Sequence, residues 1–208
     1  MKKSFFLLMM LLVGVLTTAR AQFSEETKTA GGSIGYFNSS NRQPDGRDTR
    51  FSRFSLNLKG GYFLQDNLEA GLQVGLDASN HEWDYNTSIE RLSSSTFIIG
   101  PYARLYNPLT AVVALFGEAG FKLGFGGSSG SSSGDTKIRT FSIGLRPGVS
   151  LMVNENLGLE TSIGLIGYDN FSSGSKENYE DTRVTSGIFQ AGFSLSDILL
   201  GFRLYLTD

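Results

Sequence analysis

LNLKGGYFLQDNLEAGLQVGLD, residues Leu56 to Asp77, holds two runs of alternating apolar and polar or small residues joined by one tight turn. The alternation is that of a β-hairpin. One face carries Leu56, Leu58, Gly60 and Tyr62, then, past Gln65-Asp66-Asn67, Leu68, Ala70, Leu72, Val74 and Leu76. The other carries Asn57, Lys59 and Gly61, then Glu69, Gly71, Gln73, Gly75 and Asp77. Each arm is about ten residues long, which matches the ~9–11 residues a tilted strand needs to cross a bilayer better than the ~5–6 of most globular strands. Gly mixed with isolated Lys, Glu and Gln suits the crowded polar interior of a narrow barrel. The apolar face is therefore expected to touch lipid and the polar face to line a lumen.

Outside the hairpin, Met1 to Ala21 has Lys2 and Lys3, the apolar run Phe5 to Leu16, and Ala19-Arg20-Ala21, an A-x-A cleavage pattern that would leave Gln22 first. This predicts a secretory signal peptide over 1–21 and one β-barrel domain over 22–208. The apolar run is too short for the ~20 residues of a spanning helix. Removing the three basic residues Lys2, Lys3 and Arg20 from 18 leaves 15 against 20 acidic, a net charge of −5. That balance is no nucleic-acid footprint, so no nucleic-acid partner is expected. The chain has no cysteine, which rules out disulfides, thiolate catalysis and thiolate metal sites. No later stretch is long and apolar enough for a transmembrane helix, and a mean hydropathy of −0.08 fits strands that alternate lipid-facing with lumen-facing residues.

In chain order, a weak strand over Thr29 to Asn38 precedes a polar loop, Asn38 to Arg50, with Pro44 and the turn pair Asp45-Gly46. The opening hairpin supplies strands two and three. Ala78 to Ser93 is a second polar loop, holding the only Trp and the only His. Strand four, Ser95 to Tyr106, sets Phe97, Ile99, Pro101, Ala103 and Leu105 against Gly100, Tyr102, Arg104 and Tyr106, with Ile98 out of step and a bulge expected at Pro101. Strand five runs from Ala111 to Phe125, and Gly126 to Thr136 is Gly/Ser low complexity read as a flexible loop. Strand six covers Ile138 to Val153. Strand seven places Leu157, Leu159, Thr161, Ile163 and Leu165 on one side, a fourth long loop follows over Asp169 to Thr182, and the last strand lies within Val184 to Leu206. Long connections thus alternate with short turns, as in outer-membrane barrels with long loops outside and tight turns in the periplasm. The expected fold is all-β, an eight-stranded antiparallel up-and-down transmembrane β-barrel.

Leu199 to Leu206, LLGFRLYL, places Gly201 three residues before Leu204 and five before Leu206. This resembles the C-terminal insertion signal of outer-membrane barrels, although Leu199 stands where a polar residue is usual and the chain ends without an aromatic. Taken with the leader, Gly61-Tyr62-Phe63 before a short turn, and Gly100-Pro101-Tyr102-Ala103-Arg104, the chain resembles the small OmpX/OmpA-like outer-membrane β-barrel family, whose members are often labelled porin-like. The resemblance implies a monomer in the outer membrane of a Gram-negative cell. Its implied partners are outer-membrane lipid, the barrel assembly machinery reading Gly201, Leu204 and Leu206 during insertion, and a surface ligand of the loops.

The inward parity collects Lys59, Arg104, Lys122, Arg146 and Arg203 with Glu69, Glu118 and Glu160. Mixed signs in a low-dielectric lumen predict a paired network, since an unpaired buried charge costs several kcal/mol. The expectation is a side-chain-filled plug with no enzyme activity, catalytic residue, metal or cofactor. Four long loops would present outside for envelope integrity or surface interaction. Three alternatives stay open: a narrow porin-like channel for small solutes, a lipid-modifying enzyme centred on His81 beside Glu82 and Asp84, and a soluble periplasmic β-barrel binding an apolar ligand. Tyr36, Phe51, Phe54, Tyr62, Phe63, Tyr106, Phe125, Tyr168 and Tyr205 are read as interfacial girdle aromatics.

Overall fold

Strand period governs nearly all of the chain that the computed structural model describes, which comprises residues 23–42, 48–84, 88–131, 134–162, 165–175, 177–192 and 199–206. The predicted signal peptide, Pro44-Asp45-Gly46 and Ile163 lie outside the described residues. The strands are β1 Lys28–Arg42, β2 Asp48–Gln65, β3 Leu68–Asp84, β4 Ile89–Pro108, β5 Val113–Gly130, β6 Thr136–Met152, β7 Leu157–Ser162, β8 Leu165–Ser175, β9 Val184–Gly192 and β10 Leu199–Leu206. One short helix, α1 Tyr179–Thr182, sits between β8 and β9. No helix among the described residues is long and apolar enough to cross a membrane.

All pairings are antiparallel between neighbours from β1 through β6, and β6–β7, β7–β10 and β10–β1 close a ring of eight strands. β8 pairs with β6 beyond the stretch that β7 covers, and β9 pairs with β8. The predicted seventh and eighth strands therefore each occur as two pieces. Between the pairs Val149–Thr161 and Leu145–Ile166 there are three residues on β6 and four on the partner side, the count of a bulge. The expected outward series through Leu165 thus ends early, and Ile166 and Tyr168 stand opposite Leu145 and Ile143 instead.

The polar segments expected as loops are mostly strand. β1 runs to Arg42, β3 to Asp84, β5 to Gly130 and β8 to Ser175, leaving short tips rather than long loops. Alternation of polarity disappears there because both faces meet water, whereas the backbone ladder persists because each N–H and C=O still finds a partner strand. At the tight turn of the first hairpin the register shifts between Phe63 and Gln65, and Asn67 takes φ 65°, a left-handed conformation that Asn tolerates. No register shift occurs at Pro101. The β4–β5 ladder skips Gly100 and Pro101 and resumes in the same register. The missing Cβ of Gly100 leaves room for the Phe121 carbonyl, so β4 passes its proline without the expected bulge.

Outward-facing residues form an apolar belt. Phe54 to Tyr62 on β2, Leu68 to Leu76 on β3 and Phe97 to Leu105 on β4 each span nine residues, about 26 Å along a strand at ~3.3 Å per residue. Leu58, Leu72, Ile99, Leu105 and Leu123 stand exposed on it, with Tyr36, Tyr62, Phe125 and Tyr168 among its exposed aromatics. Phe63, Tyr106 and Tyr205 are not girdle residues: all three are buried inside, because their parity is that of the polar face. Past Phe54, Leu76 and Phe97 the outward positions turn to Arg50, Glu82 and Arg91, which pair at 3.1 and 2.8 Å. This is the surface expected where strands leave an apolar phase for water.

Candidate functional site

Inside the ring, side chains stack in layers from the short-turn end upward. The lowest is aromatic: Phe23, Phe63, Tyr106, Phe116 and Tyr205 pack with Ala114 and Met152. Phe23 comes from the polar lead before β1, which folds back over the ring. Its carbonyl accepts from the Asn67 N–H at 2.8 Å, and the Glu26 N–H donates to the Phe63 carbonyl at 3.0 Å. The Phe23 ring lies 4.6 Å from Tyr106 and meets Tyr205 edge-on at 5.7 Å. Nothing in the sequence marks Phe23, because it precedes any periodic run.

Directly above sits the charge network. Lys59 Nζ donates to both oxygens of Glu118 at 2.5 Å, and Arg104 binds Glu118 through Nη2 at 2.5 Å and Nε at 3.1 Å. Arg104 Nη1 also reaches Glu160 at 2.7 Å. Arg203 donates to Glu69 at 2.5 Å and through Nε to Glu160 at 2.9 Å. Three cations thus meet three carboxylates. Lys59–Glu118, Arg104–Glu160 and Arg203–Glu69 each join strands three places apart around the eight-membered ring, so these contacts cross the lumen.

Neutral groups complete the coordination. Glu69 accepts from Thr29 Oγ1 at 2.6 Å, from the Tyr102 hydroxyl at 2.5 Å and from the Tyr106 hydroxyl at 3.1 Å. The Arg104 guanidinium lies 4.1 Å above the Phe116 ring, tying the network to the aromatic layer. Arg203 and Glu69 are 1% and 0% exposed, so neither charge is relieved by water. Such a cluster holds only because each charge is paired and its remaining hydrogen-bonding capacity is used. Space for it depends on small residues: a Cβ at Gly61 would come 2.5 Å from the Tyr102 hydroxyl and also strike Glu69.

Of the eight predicted lumen charges, the structure brings together Lys59, Glu69, Arg104, Glu118, Glu160 and Arg203. Lys122 and Arg146 lie one layer higher, beside a separate cavity, and share no ion pair within 4 Å among the described residues. Thr29, Tyr102 and Tyr106 join the network although charge alone did not select them. Their positions on the polar parity were the available signal. His81 stacks on Trp83 at 4.2 Å and lies 5.1 Å from Phe51, at the upper mouth. Both flanking contacts of the imidazole are aromatic. Gly201, Leu204 and Leu206 fall in β10, with Leu204 and Leu206 exposed on the apolar belt.

The family model of the outer membrane protein beta-barrel domain matches residues 5–196. The chain belongs to that family. No curated protein matches it. Among solved structures, this family member is similar to the outer membrane protein OprG from Pseudomonas aeruginosa, with 12% identity over 89% of this chain and 98% of that one and a TM-score of 0.50. It is also similar to Neisserial surface protein A, with 17% identity over 86% and 96% of the two chains and a TM-score of 0.43. At these identities the likeness to OprG bears on fold alone.

Proposed function

We propose that this chain is an eight-stranded transmembrane barrel of the outer membrane whose lumen is closed, and that it serves the envelope as a rigid structural and surface-presenting element. The observation that carries this reading is the buried network of Lys59, Arg104 and Arg203 with Glu69, Glu118 and Glu160, which crosses the ring and rests on an aromatic layer. A barrel of eight strands is about wide enough to be filled by its own side chains. Moving a solute past the network would require separating ion pairs inside a low-dielectric wall. The exposed apolar belt, with the ion pairs of Glu82 with Arg50 and Arg91 above it, supports lipid contact around the ring and water contact on the upper strands. The short-turn end then faces the periplasm, the leader over 1–21 is removed on export, and β10 carries the insertion signal.

Complementation of a deletion strain tests this role. One arm restores the full chain, and a second restores a barrel with the tips beyond Arg50, Glu82 and Gly130 shortened. Recovery of bile-salt resistance by both arms is the outcome expected for envelope integrity, and recovery by the full chain alone assigns the role to the displayed surface. Bile-salt resistance that is unchanged by deletion, together with no loss of surface adhesion, would sink the reading.

A further inference from the structure

Above the balanced network the lumen changes character. Lys122 and Arg146 line a cavity of about 100 Å³ together with Glu118, Gly120, Ser142 and Asp169. Glu118 stands directly across from Arg146 in the β5–β6 register, but both its oxygens are taken by Lys59 and Arg104. Asp169 accepts from Gln190 Nε2 at 3.1 Å. The Arg146 Nε is buried with no hydrogen-bond partner. Gln73 supplies an independent sign: it is 1% exposed, and neither of its amide atoms has a partner. Its Nε2 lies 3.3 Å from where a Cβ on Gly120 would stand, so the amide abuts the cavity wall.

Two cations, Lys122 and Arg146, therefore line one small space, and the unpartnered Gln73 amide lies beside its Gly120 wall. The carboxylates lining it are Glu118, already bound to Lys59 and Arg104, and Asp169, already bound to Gln190. Lys122 and Arg146 have no ion-pair partner within 4 Å among the described residues, and largely buried cations of that kind favour an acceptor that carries negative charge. We propose that this layer is a binding site for a small oxyanion, held by Lys122 Nζ and the Arg146 guanidinium and entering from the upper mouth. The volume exceeds that of a single ordered water. Arg guanidinium and Lys ammonium are the groups that recognise phosphate-like and carboxylate anions. The site shares Glu118 with the charge network but is built on Lys122 and Arg146, which form none of its ion pairs, and anion binding there does not depend on whether the barrel conducts.

The test is thermal unfolding of the detergent-solubilised, folded barrel, titrated with inorganic phosphate against sodium chloride of equal ionic strength. Binding to the folded state alone raises the midpoint in a saturable way. A rise of about 2–4 °C with phosphate, absent with chloride, is expected. Lys122→Gln and Arg146→Gln should each abolish the saturable part, whereas Arg53→Gln, whose partner is Asp77 at the mouth, should keep it. Equal curves in phosphate and chloride for the unaltered protein would overturn the site, as would a phosphate effect retained by both Lys122→Gln and Arg146→Gln.

Discussion

At the residue scale, Glu118 and Glu82 show how position decides the worth of an ion pair. Glu118 is buried and accepts from Lys59 and Arg104, whereas Glu82 binds Arg50 and Arg91 on the outer face, where both arginines are more than half exposed. Glu118→Gln strips the charge that balances two buried cations and should cost about 3–5 kcal/mol of unfolding free energy in urea. Glu82→Gln loses solvent-screened pairs and should cost no more than about 1 kcal/mol by the same measurement. Equal costs would mean that the lumen around Glu118 is wet. Lys59, Glu69, Arg104, Glu118, Glu160 and Arg203 were legible as a group, because period two forces every second residue to the same face. Which cation meets which carboxylate across the lumen was not legible, since Lys59–Glu118, Arg104–Glu160 and Arg203–Glu69 join strands that are three places apart in the ring. Gln73 shows the same limit: its inward parity is plain in the alternation, but its missing partners are a fact of packing.

At the element scale, β2 to β6 were readable as strands over the apolar belt, and the stretches misread as loops fall where the physical constraint behind the pattern is released. Beyond Phe54, Leu76 and Phe97 both faces meet water, so composition looks like loop while the ladder continues in β2, β3 and β4. The extra residue between Thr161 and Ile166 reverses the alternation without any Gly-Pro or Asn-Gly signal at that point. Pro101 warned of a bulge, but Gly100 absorbs the close approach of β5 and the register stays unchanged. The lead segment before β1 holds the least legible contribution. Phe23 is 6% exposed amid four other aromatic rings of the lowest layer, so Phe23→Ala should lower stability by about 3–5 kcal/mol. Urea unfolding checks this, with Phe37→Ala, at the exposed upper end of β1, expected to cost much less.

On the scale of the whole molecule, an apolar belt outside and a charged, hydrogen-bonded interior invert the arrangement of a soluble barrel. That inversion and the family assignment agree. The soluble alternative requires the apolar parity to point inward, whereas Leu58, Leu72 and Leu105 point out. Closure of the ring through β10–β1 leaves no free edge at the short-turn end, so the folded form should resist detergent until heated. Unboiled extract should therefore migrate differently from boiled extract on gel electrophoresis. A Gly61→Ala protein, in which a methyl group intrudes on Glu69 and Tyr102, should lose that difference at a lower temperature.

The central claim is that the network of Lys59, Arg104 and Arg203 with Glu69, Glu118 and Glu160 closes the lumen, and single-channel recording in a planar bilayer tests it most directly. The unaltered barrel is predicted to insert without conductance steps, and a variant that keeps the heat shift but carries Lys59→Ala, Arg104→Ala and Glu118→Ala together is predicted to show them. Regular steps from the unaltered protein, unchanged by those three substitutions, would contradict the account.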